Sequence, residues 1–295
     1  MFSGSFVAIV TPMRPDGSID YDAWSRLIDL HLASGTRGII VAGTTGESPS
    51  VDDGEVAELV LRAKRQIAGR MVLMAGAGQN STAATVERAR AVSALGVDAL
   101  LVVTPAYNKP TQAGLYLHYA AVAAASAVPV MLYNVPGRTA VDLSPDTVAR
   151  LAAVPRIAAI KEAVADLARI RELLAKAPGI DVLSGDDATA REAVLAGAKG
   201  VVSVTANVAP RAMAEMIAAA LAGDATRAAA IDATLAALHK DLFVESNPIP
   251  VKWALARMGL IGDAIRLPLT PLSSACHARV QAALAQAGIA VGASG

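Results

Sequence analysis

Eight short apolar runs recur along the chain, and each is followed by a stretch suited to a helix. The runs occupy residues 6–10, 38–42, 71–75, 99–103, 130–133, 157–161, 180–184 and 200–204. Runs this apolar suit strands covered on both faces, as in a parallel sheet. Parallel neighbours need helical crossovers, and helices are predicted near 52–67, 81–95, 112–126, 166–176 and 187–197. An earlier helix carries Tyr21, Trp24, Leu27, Ile28 and His31 on one face, with Asp20 as its cap and Gly35 at its end. A shorter one starts with Ser144 as cap and Pro145 as first residue. Eight evenly spaced units predict an α/β fold, a closed (β/α)₈ TIM barrel. An open doubly wound sheet usually has fewer strands, and no glycine-rich dinucleotide loop follows the first run.

Such a barrel takes about 250 residues, so a chain of 295 has material left over. Past residue 206 no strand is predicted. Helices are expected over 207–222, 224–240, 248–258 and 273–288, with a loop at 262–271. We therefore expect a catalytic barrel over 1–224 and a C-terminal helical region over 225–295. Hydrophobic residues make up 54% and charged residues 18%, which excludes a disordered chain.

The 26 basic and 26 acidic residues balance, so nothing in bulk charge favours nucleic acid. Cys276 is the single cysteine and has no internal disulfide partner, which fits a reducing compartment. The first five residues lack the basic start of a signal peptide, and the mid-chain stretch 119–133, rich in Ala and broken by Pro129, is shorter than the roughly 20 residues of a membrane span. A cytoplasmic protein is expected. The four histidines, His31, His118, His239 and His277, form no metal-binding pair, so no metal is expected.

Barrels do their chemistry at the carboxyl ends of the strands. Lys161 closes an otherwise apolar run there. A lysine so placed faces the mouth as an amine nucleophile for carbonyls, or snorkels, or pairs with Glu162; the strand pattern leaves these open. The turn Gly43-Thr44-Thr45-Gly46-Glu47-Ser48 offers N–H groups and hydroxyls to a carboxylate or phosphate, or is a plain turn with a helix cap. Tyr133 is a proton shuttle or a core tyrosine, and Arg138 a carboxylate clamp or a solvated loop residue. Asp186 and Asp187 read as capping residues.

Taken together, the 43–48 turn, Tyr133-Asn134-Val135-Pro136 and Lys161 resemble the pyruvate-dependent class I aldolase family, which includes N-acetylneuraminate lyase. The resemblance also takes in Ser184-Gly185-Asp186-Asp187, Ser203-Val204-Thr205-Ala206-Asn207 and Asn247-Pro248-Ile249-Pro250-Val251-Lys252. It runs from Met1 to about Ala290. It implies that Lys161 forms a Schiff base with pyruvate. Thr44 and Thr45 would hold the pyruvate carboxylate, and the backbone carbonyl of Val202 would line that pocket. Tyr133, Thr44 and Tyr107 would relay protons, with Tyr107 donated by a neighbouring subunit.

Arg138 would bind the carboxylate of a second substrate, L-aspartate 4-semialdehyde, near Gly185. The branch implied makes 4-hydroxy-tetrahydrodipicolinate, at the first committed step of diaminopimelate and lysine biosynthesis. Arg138 favours it over the sialic acid and keto-deoxy sugar acid lyases of the same family; a keto-acid-binding regulator without turnover is a further alternative. No cofactor is implied, and a homotetramer built as a dimer of dimers is. Lysine-inhibited relatives have histidines, a glutamate and a tyrosine where this chain has Asp53, Val56, Ala84 and Ala106, while Ser48, Gly78 and Asn80 are kept. Weak or absent inhibition by L-lysine is therefore expected. Ala106 also replaces a tyrosine that interlocks across the tight dimer, which puts that packing in doubt.

Overall fold

The computed structural model describes residues 1–292. Eight strands close into a barrel in which every neighbouring pair is parallel and β8 returns to β1. They are β1 (Gly4–Ala8), β2 (Gly38–Val41), β3 (Val72–Gly76), β4 (Ala99–Val103), β5 (Val130–Asn134), β6 (Ile157–Glu162), β7 (Asp181–Ser184) and β8 (Gly200–Ser203). This is the expected (β/α)₈ barrel.

The helices are α1 (Tyr21–Ala33), α2 (Asp53–Ile67), α3 (Thr82–Ala94), α4 (Gln112–Ala125), α5 (Pro136–Thr139), α6 (Pro145–Leu151), α7 (Leu167–Lys176), α8 (Ala190–Leu195) and α9 (Pro210–Leu221). Then come α10 (Ala225–Asp241), α11 (Ile249–Arg257) and α12 (Ser274–Gln286). The last three residues of the helical region expected over 225–295 lie outside the described residues. Among the described residues no helix is long and apolar enough to cross a membrane.

Local chemistry sets the ends. The Asp20 side chain accepts hydrogen bonds from the Asp22 and Ala23 N–H groups and starts α1, and Gly35 at φ +79° lets the chain leave it. Ser144 caps α6 through the Thr147 N–H, with Pro145 as the first helical residue. Several boundaries differ from expectation; β1, for example, spans Gly4–Ala8 rather than 6–10. The short α5, which carries Arg138, was not foreseen. The seventh crossover helix starts at Ala190 rather than 187, because Asp186 caps the turn at Thr189 and Asp187 reaches away to the Val204 and Thr205 N–H groups. Helix α9 starts at Pro210 rather than 207. The Asn207 side chain there accepts from the Val10 N–H and donates to the Ala8 carbonyl, which holds residues 205–207 in a tight turn.

Two cores result. Phe6, Ile40, Met74, Leu101, Met131, Ala159, Leu183 and Val202 fill the barrel interior. A larger core lies between the strands and the helices. At Gly38 an added Cβ would come 2.7 Å from the Phe6 ring, so this strand must start with glycine for Phe6 to fill the interior.

His31 and His118 are both buried against the outer core. His31 Nδ1 lies 2.9 Å from Thr36 Oγ1, and burial pushes its pKa down to about 4. His118 Nδ1 lies 3.0 Å from Thr82 Oγ1, and burial again pushes its pKa to about 4. Unfolded imidazoles titrate near 6.5. The folded state therefore refuses protons that the unfolded chain takes up. The stability involved is fully present above about pH 6.5 and is lost as pH falls toward 4. At pH 5 the loss is about 2 kcal/mol per histidine. Melting temperatures between pH 7.5 and 5 should fall accordingly. The double variant His31→Leu/His118→Leu should flatten that fall; an unchanged slope would contradict the assignment.

Candidate active site at the carboxyl ends of the strands

Alternation along β6 places Ala159 inside the barrel, and Lys161, two residues on, follows it. Lys161 is 5% exposed. It is in register with Tyr133 of β5, and its side-chain nitrogen lies 4.2 Å from the centre of the Tyr133 ring. At Gly185, just past β7, an added Cβ would come 2.9 Å from Lys161 Cε and 2.8 Å from Ala163 Cβ. Glycine there gives the Lys161 chain its room.

The next residues face the other way. Both strands run one residue further than expected, to Asn134 and Glu162, which pair in register. Asn134 Nδ2 donates to both Glu162 oxygens, at 3.0 and 3.1 Å, and Arg169 Nε donates to one at 3.2 Å. Glu162 therefore does not pair with Lys161, because adjacent strand residues point to opposite faces. Burial raises the Glu162 carboxyl above its usual range, against the pull of Asn134 and Arg169.

The 43–48 turn is closed by its own backbone. Gly46 N–H donates to the Gly43 carbonyl at 3.0 Å, Glu47 N–H to Thr44 at 3.1 Å, and Ser48 N–H to Gly43 at 3.2 Å. Among the described residues, the N–H groups of Thr44 and Thr45 have no partner within the chain. Thr44 is half-buried, and Thr45 is buried with its Oγ1 accepting from Asn247 Nδ2 at 2.9 Å. The Asn247 carbonyl accepts from Arg138 Nη2 at 3.2 Å. Asn247 thus links two groups foreseen as substrate contacts.

A cavity of about 560 Å³ opens at this face, lined by Thr44, Leu101, Tyr133 and Arg138. It extends past Ser48 and Asn80 to Ala84 and Arg88. Among the described residues no hydrogen bond joins Thr44 to Tyr133. Val202 packs inside β8, in register with Phe6. Tyr107 stands apart: the residue is 91% exposed, outside the lining of its own chain's cavity, on backbone at φ +71°.

Two features are not foreseen from the sequence. Glu47 and Lys252 form a buried ion pair, and Glu47 Oε2 also accepts from the Arg266 N–H at 3.1 Å. Burial pushes the Lys252 ammonium below its ordinary pKa, against the attraction of Glu47. Asp187 is not a cap: its Oδ2 accepts from the Val204 and Thr205 N–H groups, both at 2.9 Å, and so ties the end of β8 to the loop after β7. Asp186 does cap locally, through Thr189. The available signal was Lys252, a charge set in the largely apolar segment 249–256, since a buried charge needs a partner.

The family model described as the dihydrodipicolinate synthetase family matches residues 1–287. The chain belongs to this family. A 4-hydroxy-tetrahydrodipicolinate synthase from Ectopseudomonas mendocina (strain ymp) is 54% identical over 290 residues, covering 98% of this chain and 99% of the relative. A solved chloride-inhibited dihydrodipicolinate synthase from Acinetobacter baumannii, complexed with pyruvate, superposes with a TM-score of 0.97 at 49% identity. It covers 98% of this chain and 100% of its own. The dihydrodipicolinate synthase of Cyanidioschyzon merolae, solved with lysine bound, has a TM-score of 0.94 at 36% identity, with 98% and 99% covered. Family membership and the closed barrel agree with the branch expected from the 43–48 turn, Tyr133, Arg138 and Lys161.

Proposed function

We propose that the chain condenses pyruvate with L-aspartate 4-semialdehyde to give 4-hydroxy-tetrahydrodipicolinate, the lyase reaction of diaminopimelate and lysine biosynthesis that its relatives are named for. The observation that carries this is Lys161, buried at the end of β6 against Tyr133, beside a cavity that also holds Thr44 and Arg138. The Lys161 amine attacks the ketone carbon of pyruvate, and water leaves to give an iminium. The iminium is an electron sink, so the methyl group loses a proton and becomes an enamine. The enamine carbon attacks the aldehyde. The amine of the second substrate then displaces Lys161 and closes the ring.

In this reading the free N–H groups of Thr44 and Thr45 hold the pyruvate carboxylate, and the Val202 carbonyl lines the same pocket. Arg138, steadied by Asn247, binds the carboxylate of the second substrate near Gly185. Thr44, Tyr133 and the partner subunit's Tyr107 pass protons. The exposed ring of Tyr107 supports donation to a second copy. A homotetramer built as a dimer of dimers, in the cytoplasm, completes the proposal. A steady-state assay with pyruvate and L-aspartate 4-semialdehyde tests it. Turnover with that pair, and none with N-acetylneuraminate or keto-deoxy sugar acids, is expected; the reverse pattern would overturn it.

The outer arm of the cavity bears on inhibition. Ala84 and Ala106 line it without a carboxylate or a ring, and Arg88 adds a cation. Asp53, the one acid that compensates in principle, lies 3.3 Å from Arg88 and is engaged there. A charge-assisted hydrogen bond is worth roughly 1.5–3 kcal/mol and a cation–π contact about 0.5–2. Losing both weakens L-lysine binding by roughly 30- to several thousand-fold. Initial rates at saturating pyruvate should show no half-inhibition below about 1 mM L-lysine; inhibition below that level would refute this reading of Ala84 and Ala106.

A further inference from the structure

Glu47 and Lys252 are buried charges to which the proposed chemistry gives no task. The Glu47 side chain is fully buried in the 43–48 turn, and that of Lys252 is 2% exposed in α11. They are 205 residues apart in sequence and in direct contact in the fold. Glu47 holds φ at +57°, a conformation that non-glycine residues adopt rarely. This backbone lets Thr44 line the cavity while Glu47, three residues on, reaches α11. A second contact reinforces the first. Asn247, in the same segment as Lys252, donates to Thr45 Oγ1. The 247–252 segment therefore grips the turn at two points, one on each side of Gly46.

Apolar residues of similar volume usually replace a buried ion pair at no loss of stability. Stability alone is thus a poor reason for charges here, and orientation is a better one. An ion pair fixes direction, because a Glu47 carboxylate turned elsewhere would be buried unpaired. We propose that Glu47 and Lys252 are positioning residues for the pyruvate subsite: their pair holds the 43–48 turn so that the N–H groups and hydroxyls of Thr44 and Thr45 face the keto acid. This rests on the functional reading above. Neither residue touches substrate; both act through Thr44 and Thr45. The C-terminal helical segment is then part of the pyruvate subsite.

The test uses the full chain carrying Glu47→Gln/Lys252→Met, which removes both charges and leaves neither unpaired. Melting temperature, borohydride trapping with pyruvate and steady-state kinetics are measured. Near-parental melting and full trapping at saturating pyruvate are expected, because Lys161 is untouched. The pyruvate concentration for half-maximal trapping, and the KM for pyruvate, should rise about tenfold or more, while the KM for L-aspartate 4-semialdehyde stays within about threefold. Half-saturation within about twofold of the parent would overturn the proposal. So would a smaller trappable fraction whose pyruvate dependence is unchanged, since that reports structure alone. If the double variant does not fold, Glu47→Gln, which keeps the side-chain volume, is read by the same criteria; failure of both to fold would assign the pair to folding and overturn the positioning role. A parent enzyme that traps no pyruvate would refute the functional reading instead.

Discussion

Lys161→Ala is expected to abolish borohydride trapping of pyruvate and to lower turnover by at least about 10⁴-fold, or roughly 5.4 kcal/mol of barrier. The size follows from what the lysine supplies. Without the iminium there is no electron sink, so the pyruvate methyl group keeps its proton and no enamine forms. Mass spectrometry of the trapped parent should place one pyruvate-derived adduct on the peptide containing Lys161. Of the seven lysines, two are buried, Lys161 and Lys252. Lys252 is engaged by Glu47, whereas the Lys161 nitrogen lies against the Tyr133 ring and, among the described residues, makes no hydrogen bond or ion pair. An adduct on Lys252, or on any lysine but Lys161, would sink the assignment. A Lys161→Ala variant that keeps more than a few per cent of parental turnover would do the same.

Tyr107→Phe should lower turnover by about 10²- to 10⁴-fold, the usual worth of a positioned proton-transfer group. The structure motivates a sharper version of this experiment. A tyrosine 91% exposed and outside its own cavity is placed to serve the cavity of another copy. Tyr107→Phe subunits keep Lys161, and Lys161→Ala subunits keep Tyr107. Mixing the two inactive variants should restore part of the activity, since some mixed dimers then contain one complete site. Subunit exchange must be shown independently, for example by mass. Exchange without any recovery would mean that Tyr107 does not complete a neighbour's site.

Much of this architecture is legible in local patterns. Fully apolar runs of strand length, separated by capped amphipathic segments, are a local signal for buried parallel strands, and eight of them close a barrel. Asp20, Ser144 and Pro145 act on residues two or three positions away, so their capping roles are readable without the fold. The placing of Lys161 and Tyr133 at strand ends is equally local, and the barrel then puts strand ends at the mouth.

The pairings across the chain are a different matter. Alternation along β6 already separates Lys161 from Glu162, but which groups Glu162 meets instead depended on Asn134 arriving in register from β5 and on Arg169 reaching it. Asp187 looked like a helix cap because the sequence does not reveal that the Val204 and Thr205 N–H groups come within 2.9 Å of it. The sequence by itself determined the strand and helix periods, the cap chemistry and the residue types available at the strand ends, because these depend on neighbours within one or two turns. Only the tertiary structure decided that Glu47 meets Lys252, that Asn247 joins Thr45 to Arg138, and that Tyr107 lies exposed, outside the lining of its own cavity. Those contacts depend on how the closed barrel brings distant segments together, and burial then forces each charge to take whatever partner the packing delivers.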